Sequence, residues 1–133
     1  MNYMLLIYED ERVSGGQRQG VAFDECIDLC EGLVERLKAN GQYISAGVLQ
    51  PTPTAKSLRV RDGQSLVTDG PFAEAREQLA GYLMIRVESM DEALAIGAEH
   101  PVAKYGTVEV RPVFGIPYLD EDDPKSPMLI GIK

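Results

Sequence analysis

The fold of this chain is decided by one apolar stretch, Leu79-Ala80-Gly81-Tyr82-Leu83-Met84-Ile85. A second stretch near the start, residues 3–8, is also apolar at almost every position. Because successive side chains of a strand point to opposite faces, both stretches predict strands that are apolar on both faces of a sheet. Both faces of that sheet must therefore be covered.

The segments between these strands predict two helices. From Phe23 to Leu37, apolar residues recur at spacings of three and four, which indicates an amphipathic helix that stops at Asn40-Gly41. A shorter helix begins at the capping box Ser89–Glu92 and ends at His100-Pro101, since a residue before proline resists the helical conformation.

The other strand signals complete the pattern. Residues 43–48 and 107–113 predict strands, and Asp62-Gly63 predicts a two-residue turn between the strands of a hairpin. Residues 9–20 read as a polar loop without periodicity, and residues 73–78 predict a helical turn. The order β-α-β, hairpin, β-α-β predicts an α+β fold, a ferredoxin-like antiparallel sheet with two helices on one face.

The second face of the sheet predicts a partner. Two helices cover one face, and an apolar face left in water is an association site. We therefore expect a homodimer with the two sheets face to face, a dimeric α+β barrel.

Composition narrows the function. A chain of 133 residues with a net charge of -8 is the size of one domain, and its basic residues are scattered among more numerous acidic ones. This disfavours nucleic acid as a partner, because phosphate binding needs clustered Lys and Arg. The opening residues lack a basic signal region and an apolar run of membrane length, so we expect a cytoplasmic protein with no membrane contact.

Several separated blocks resemble a known family. Asp69-Gly70-Pro71-Phe72-Ala73-Glu74, followed by residues 77–82, resembles the signature of the DGPF branch of the YCII-related family. The opening residues 3–8, His100-Pro101 and residues 106–112 fit the same family. The resemblance covers roughly residues 1–115. The tail, 116–133, lies outside it and is acidic, then apolar.

The resemblance implies a dimeric α+β barrel and a chemistry that is largely uncharacterised. Enzymatic roles are proposed from a His–Asp pair in some members, whose histidine lies near the first strand–helix connection. This sequence has no histidine there. Other DGPF relatives are encoded near extracytoplasmic-function sigma factors, which suggests a regulatory role.

Two residues are candidates for acid–base catalysis. His100 is the only histidine, so it alone has an ordinary pKa suited to proton transfer near neutral pH. The alternative, which its place beside a proline at a helix end favours, is a helix-end residue stabilised by the helix dipole. Asp69 follows a strand, where it is either a turn residue bonded to its own backbone or a carboxylate that faces a cavity.

Four further residues are candidates for ligand binding. By alternation, Tyr82 and Arg86 share one face of their strand, and Glu109 and Arg111 share one face of the last strand. If these faces meet at a cavity between the sheets, they provide polar anchors in an apolar pocket. Otherwise Glu109 and Arg111 form an ordinary ion pair.

The cysteines point to neither a redox nor a metal site. Cys26 and Cys30 lie four apart on one helix face, where we interpret them as two small core residues rather than as a redox or metal pair. No Cys-x-x-Cys or Cys/His metal spacing is present, and no phosphate loop or dinucleotide fingerprint. We expect no metal and no cofactor.

Two functions follow as hypotheses. The first is a cofactor-free acid–base enzyme that acts on a small metabolite in the inter-sheet cavity, with Asp69 and His100 as the titrating pair. The alternative is a non-catalytic module that binds a small ligand or a regulatory partner, in which the 116–133 tail pairs with that partner or clasps the second subunit.

Overall fold

The computed structural model describes residues 1–14, 17–18 and 21–114. The helices are α1 (Glu11–Ser14), α2 (Phe23–Ala39) and α3 (Met90–Glu99). The strands are β1 (Asn2–Glu9), β2 (Gln17–Arg18), β3 (Val21–Ala22), β4 (Tyr43–Val48), β5 (Lys56–Arg61), β6 (Gln64–Asp69), β7 (Gln78–Arg86) and β8 (Thr107–Pro112). Two 3₁₀ turns cover Thr52–Thr54 and Pro101–Lys104.

The main sheet is antiparallel, in the order β4-β7-β1-β8. This is the strand order of a ferredoxin-like fold, so the predicted α+β class is confirmed. The central pair is formed by β1 and β7, the two apolar stretches from which the fold was predicted. The pairing of this sheet with a second one stays a prediction.

The core lies between the sheet and the two long helices. Tyr3, Leu5 and Ile7 of β1 are buried there together with Leu33 and Leu37 of α2. Between them, Met4 and Leu6 are only half-buried because they point to the opposite face of the sheet. The predicted apolar character of both faces is therefore present in the structure.

The ends of α2 and α3 follow the predicted chemistry. Gly41 has a positive φ of 71°, and Gln42 N–H donates to Leu37 C=O (2.9 Å), as in a Schellman motif. Ser89 accepts from Glu92 N–H (3.2 Å) at the start of α3. The Glu92 carboxylate accepts from Glu88 N–H rather than from that of Ser89, so the capping box is one residue wider than predicted.

The predicted hairpin is confirmed. Strands β5 and β6 pair around Asp62 and Gly63, which both have positive φ, as a type I′ turn requires. At its base, Gly70 has a φ of 91° and donates from its N–H to Ala55 C=O (2.7 Å). The glycine of the Asp69–Phe72 signature is therefore required by backbone geometry.

Two local predictions are wrong. Residues 73–77 form bends instead of a helical turn, because the Gln78 side chain donates to the Ala73 and Ala75 carbonyls (3.3 and 3.1 Å). The polar segment 9–20 is not structureless, since it contains α1 and β2. The Asp10 carboxylate accepts from Arg12 N–H (3.0 Å) at the start of α1, a local bond that hydrophobic periodicity does not reveal.

The hairpin carries apolar side chains that its own chain leaves exposed. Leu58, Val60, Leu66 and Val67 are each at least 48% exposed, and Phe72 is 74% exposed beneath the Arg59 guanidinium (4.6 Å). A two-stranded ribbon is marginally stable alone in water, so such a surface marks a contact region.

The predicted tail, 116–133, lies outside the described residues. Among the described residues, no helix is long and apolar enough to cross a membrane.

Candidate functional site

A cleft of about 410 Å³ opens between α2 and the β4 side of the sheet. Its size is within the usual range for small-molecule sites. Its walls are mainly apolar and include Ile7, Leu33, Val34, Ala46, Leu83 and Val102. Val48, in the same wall, is 71% exposed because α2 does not reach over the edge strand. The chain therefore presents an apolar surface to solvent inside a concave site.

The sheet is irregular where it borders this cleft. The pairing of β1 with β7 shifts register after Ile7, which lies opposite Gly81, while Tyr8 lies opposite Leu79. Ala80 is the extra residue of this bulge, with no opposite residue in β1, and it forms part of the cleft wall. Bulges of this kind often adjoin functional sites because they re-aim side chains.

His100 reaches the cleft from the end of α3. Its Nδ1 accepts a hydrogen bond from the backbone N–H of Val102 (3.1 Å), so His100 caps the 3₁₀ turn that begins at Pro101. Because an imidazole nitrogen that accepts carries no proton, the neutral ring has its proton on Nε2. The backbone of the turn therefore fixes both the orientation and the tautomer of His100.

The Nε2 side of His100 faces a thiol. Nε2 lies 3.7 Å from Cys30 Sγ, and both residues line the cleft. In the tautomer that Val102 selects, the imidazole donates and the sulfur accepts. Cys30 is half-buried and thus lies at the cleft wall rather than in the core. The side chain of Cys26 lies outside what the structure describes.

Glu9 brings a carboxylate to the same cleft. It is the last residue of β1 and is 4% exposed, on the face of the sheet that also carries Ile7. Tyr105 O–H donates to Glu9 Oε2 (3.4 Å). A buried carboxylate is rare unless it is bonded, and the Tyr105 hydroxyl meets part of that need.

The mouth of the cleft is lined by charges on α2. Glu31 and Glu35 lie one turn apart on the helix and are both exposed. Lys38 follows, with Nζ 5.0 Å from the centre of the Tyr43 ring in a cation–π contact. Within the described part of the chain, neither Glu31 nor Glu35 forms an ion pair.

The predicted pair of Asp69 and His100 is not brought together within this chain. Asp69 ends β6, accepts from Lys56 Nζ (2.5 Å) and has a side chain that is 86% exposed. It does not line the cleft that holds His100. A catalytic role for the pair stays a prediction, and it would require Asp69 to arrive from a second copy.

The four predicted ligand-binding residues share one region of the sheet. Leu6 lies opposite both Tyr82 and Glu109, and Met4 lies opposite Arg111, so these side chains are on the face away from the helices. Arg86 continues the same side of β7. Their role as ligand-binding residues at an inter-sheet cavity stays a prediction. Tyr82 also borders the cleft, with its ring over Gly47.

A polar cluster closes one end of that open face. The Tyr8 hydroxyl donates to Glu109 Oε1 (3.3 Å), and the Arg111 guanidinium forms an ion pair with Glu109. Burial raises the pKa of Tyr8, and the negative charge of Glu109 raises it further. The ion pair in turn raises the pKa of Arg111. Glu109 and Arg111 therefore form the ion pair that was the alternative to a ligand-binding role, and Tyr8 is hydrogen-bonded to it.

Sequence reasoning missed Glu9 and Cys30 as residues of the site. Glu9 adjoins a run of charges, Glu9-Asp10-Glu11, and looked like the start of a loop. The signal was its parity, since in an extended strand residues 3, 5, 7 and 9 share a face. The spacing of apolar residues placed Cys30 on the inward face of α2. It did not predict that a cleft opens beside that face.

The described residues contain no group of three or more His, Cys, Asp or Glu side chains arranged to hold a metal ion. His100, Cys30 and Glu9 line the same cleft, where they offer an N–H donor, a polarisable sulfur and a carboxylate acceptor.

Comparison with known proteins gives a family and a relative. Residues 1–117 match the YCII-related domain family. The chain belongs to the YCII-related family. An uncharacterised protein of Rhizobium meliloti (strain 1021) is 36% identical over 121 residues, which cover 85% of this chain and 92% of that protein. The family membership predicted from the sequence is confirmed, and assignment of this YCII-related protein to the DGPF branch stays a prediction.

Proposed function

We propose that this YCII-related protein binds a small, mainly apolar molecule in the cleft beneath α2, with His100 contacting a polar group of the ligand. The observation that supports this is the cleft itself, about 410 Å³, in which apolar walls surround an oriented imidazole. Sites for small molecules combine an apolar lining with a few placed polar groups. The cleft meets both conditions.

The binding proposal is tested with a neutral probe. Isothermal titration with 2-naphthylmethanol should give saturable 1:1 binding, because the probe has an apolar bicycle and one hydroxyl. Ala46 is exposed on the cleft wall, so Ala46→Leu should fill the site without disturbing the core and should abolish binding. Ala103→Leu makes the same change on an exposed residue outside the cleft and should bind as the parent does. Equal affinity in all three proteins would refute the proposal.

Acid–base catalysis is the second candidate function, and the fixed tautomer of His100 favours it. Nε2 carries the proton of the neutral ring at the cleft, so His100 would donate a hydrogen bond that polarises a bound carbonyl. Of the carboxylates that line the cleft with it, Glu9 is buried, whereas Glu31 and Glu35 are exposed. The predicted partner, Asp69, would have to come from another subunit.

Two substitutions separate catalysis from binding. The Oδ1 of His100→Asn can replace Nδ1 as the acceptor for Val102 N–H, so the turn keeps its cap while Nε2 is lost. If the protein is an enzyme, this variant should lose turnover by at least about a hundredfold, far more than it loses in ligand affinity. Asp69→Asn tests the second carboxylate in the same assay. A parent protein that binds metabolites and converts none would support a non-catalytic binding module.

The proposal includes a homodimer. Met4, Leu6 and Met84 are half-buried apolar residues on the face of the sheet that α2 and α3 leave open. A second copy of the same face would cover them, and the exposed hairpin would extend that contact. Sedimentation equilibrium should give twice the chain mass. Met84→Asp should yield monomers, whereas Leu94→Asp, on an exposed position of α3, should not. Dimers that persist in Met84→Asp would exclude this face.

A further inference from the structure

The charges around the cleft oppose anions. Among its described lining residues, the carboxylates are Glu9, Glu31 and Glu35, and the only ammonium is that of Lys38. Field lines concentrate in a concave site with apolar walls, so these charges act on a ligand more strongly than they would on a flat surface. An anionic ligand would enter against this potential.

The ring of Tyr43, in the cleft wall, also favours cations over anions. Tyr43 already has the Lys38 ammonium 5.0 Å from its ring centre, which shows that this ring face attracts a cation. Lys38 is on the exposed side of α2, so a ligand cation could take its place over the ring while the lysine moves into water.

The arginines expected to bind an anionic group are elsewhere. Arg111 pairs with Glu109 on the open face of the sheet, and Arg86 is exposed on the same face. Neither lines the cleft. A carboxylate or phosphate in the cleft would therefore lack the bidentate guanidinium partner that such groups usually find in proteins.

We propose that the cleft selects neutral or cationic apolar molecules, such as amines and alcohols, and excludes carboxylates and phosphates. This rests on the proposed binding function, because it assigns a ligand class to the same cleft. The hydroxyl of an alcohol would accept from His100 Nε2 and donate to a cleft carboxylate, whereas an ammonium would turn its positive charge toward Glu35 and the Tyr43 ring.

The test uses three probes that share one apolar body. Isothermal titration at pH 7 and 0.15 M salt compares 2-naphthylmethylamine (cationic), 2-naphthylmethanol (neutral) and 2-naphthoate (anionic). At this salt, charges farther than about 8 Å from the probe are largely screened, so differences report the cleft itself. We expect the amine to bind at least as tightly as the alcohol, and the naphthoate to bind at least about tenfold more weakly than either.

Variants identify the source of the selectivity. Glu31 and Glu35 are exposed, so the double variant E31Q/E35Q should fold as the parent does and should reduce the discrimination against naphthoate about threefold or more. Glu74→Gln removes an exposed carboxylate outside the cleft and should leave the discrimination unchanged.

The outcomes separate the ligand class from the binding function. If naphthoate binds as tightly as the alcohol, and Ala46→Leu abolishes both, the site stands and the proposed class is wrong. If E31Q/E35Q and Glu74→Gln change the discrimination equally, the selectivity comes from net charge and the cleft does not choose its ligand. If none of the three probes binds, the binding function and the class both fail.

Discussion

Gly81→Ala should loosen the sheet at the wall of the cleft. A Cβ atom at Gly81 would lie 2.6 Å from the backbone oxygen of Gly47, far below the 3.4 Å at which ordinary contact begins. The neighbouring atom belongs to the backbone of β4, so no side chain can swing away. The two strands must separate by several tenths of an ångström, and we expect a loss of about 1–3 kcal/mol in the free energy of unfolding.

The matched control is the same substitution in α2. Gly32 is exposed, and a Cβ atom there would have nothing within 4 Å. Gly32→Ala should therefore stabilise the protein by about 1 kcal/mol through helix propensity alone. Urea denaturation followed by circular dichroism measures both. Gly81→Ala should also weaken the binding of 2-naphthylmethanol, since β4 forms a wall of the cleft. A Gly81→Ala protein as stable as the parent would refute the close approach of β4 and β7.

Three further perturbations test other contacts. Tyr8→Phe should change how stability depends on pH at the alkaline end. Folding raises the pKa of Tyr8 above its unfolded value near 10, so the folded protein holds the proton more tightly and the parent loses stability as pH rises past 10. Urea titrations should find a smaller loss in the variant. Ser89→Ala removes the acceptor for Glu92 N–H and should lower the free energy of unfolding by about 1 kcal/mol, with Ser65→Ala on the exposed hairpin as a control that changes little. Asn2 is 1% exposed, and its side-chain amide has no hydrogen-bond partner among the described residues. Asn2→Leu, of similar shape, should therefore raise the free energy of unfolding by about 1–3 kcal/mol, and a thermal midpoint lowered by this change would contradict the reasoning.

The fold was predictable because its signals are local and repeated. The two apolar stretches gave the central strands β1 and β7, and the spacing from Phe23 to Leu37 gave α2. Turn chemistry placed the boundaries well, since Asp62-Gly63 and Gly41 adopt the positive φ that their residue types suggest. These features depend on a few neighbouring residues, and a sequence shows them directly.

The candidate site was predictable only in part, because it depends on how elements meet. His100 was predicted to meet Asp69 at a cavity between two sheets, whereas in this chain it lines a cleft on the helix side of the sheet. Asp69 lies on the hairpin, away from the core, and forms an exposed ion pair with Lys56. Glu9 ends β1 and His100 follows α3, so the two are far apart in sequence. They share a cleft only because the folded chain brings both elements to the space between α2 and β4.

The faces of the sheet were assigned correctly for a simple reason. Alternation along a strand is fixed by backbone geometry, so Tyr82 and Arg86, or Glu109 and Arg111, had to share a face. What alternation does not specify is which face is beneath the helices. The structure places these four on the face away from α2 and α3, and the apolar cleft lies on the other side.

The most direct test of the account is to locate the bound probe by NMR. In a titration of ¹⁵N-labelled protein with 2-naphthylmethanol, the amide signals of Val34, Ala46 and Val102 should shift together along one saturable curve, because these residues line the cleft. Leu6 and Met84, on the opposite face of the sheet, should stay in place. Shifts confined to Leu6 and Met84, or no saturable shift at all, would contradict the claim that this cleft is the binding site.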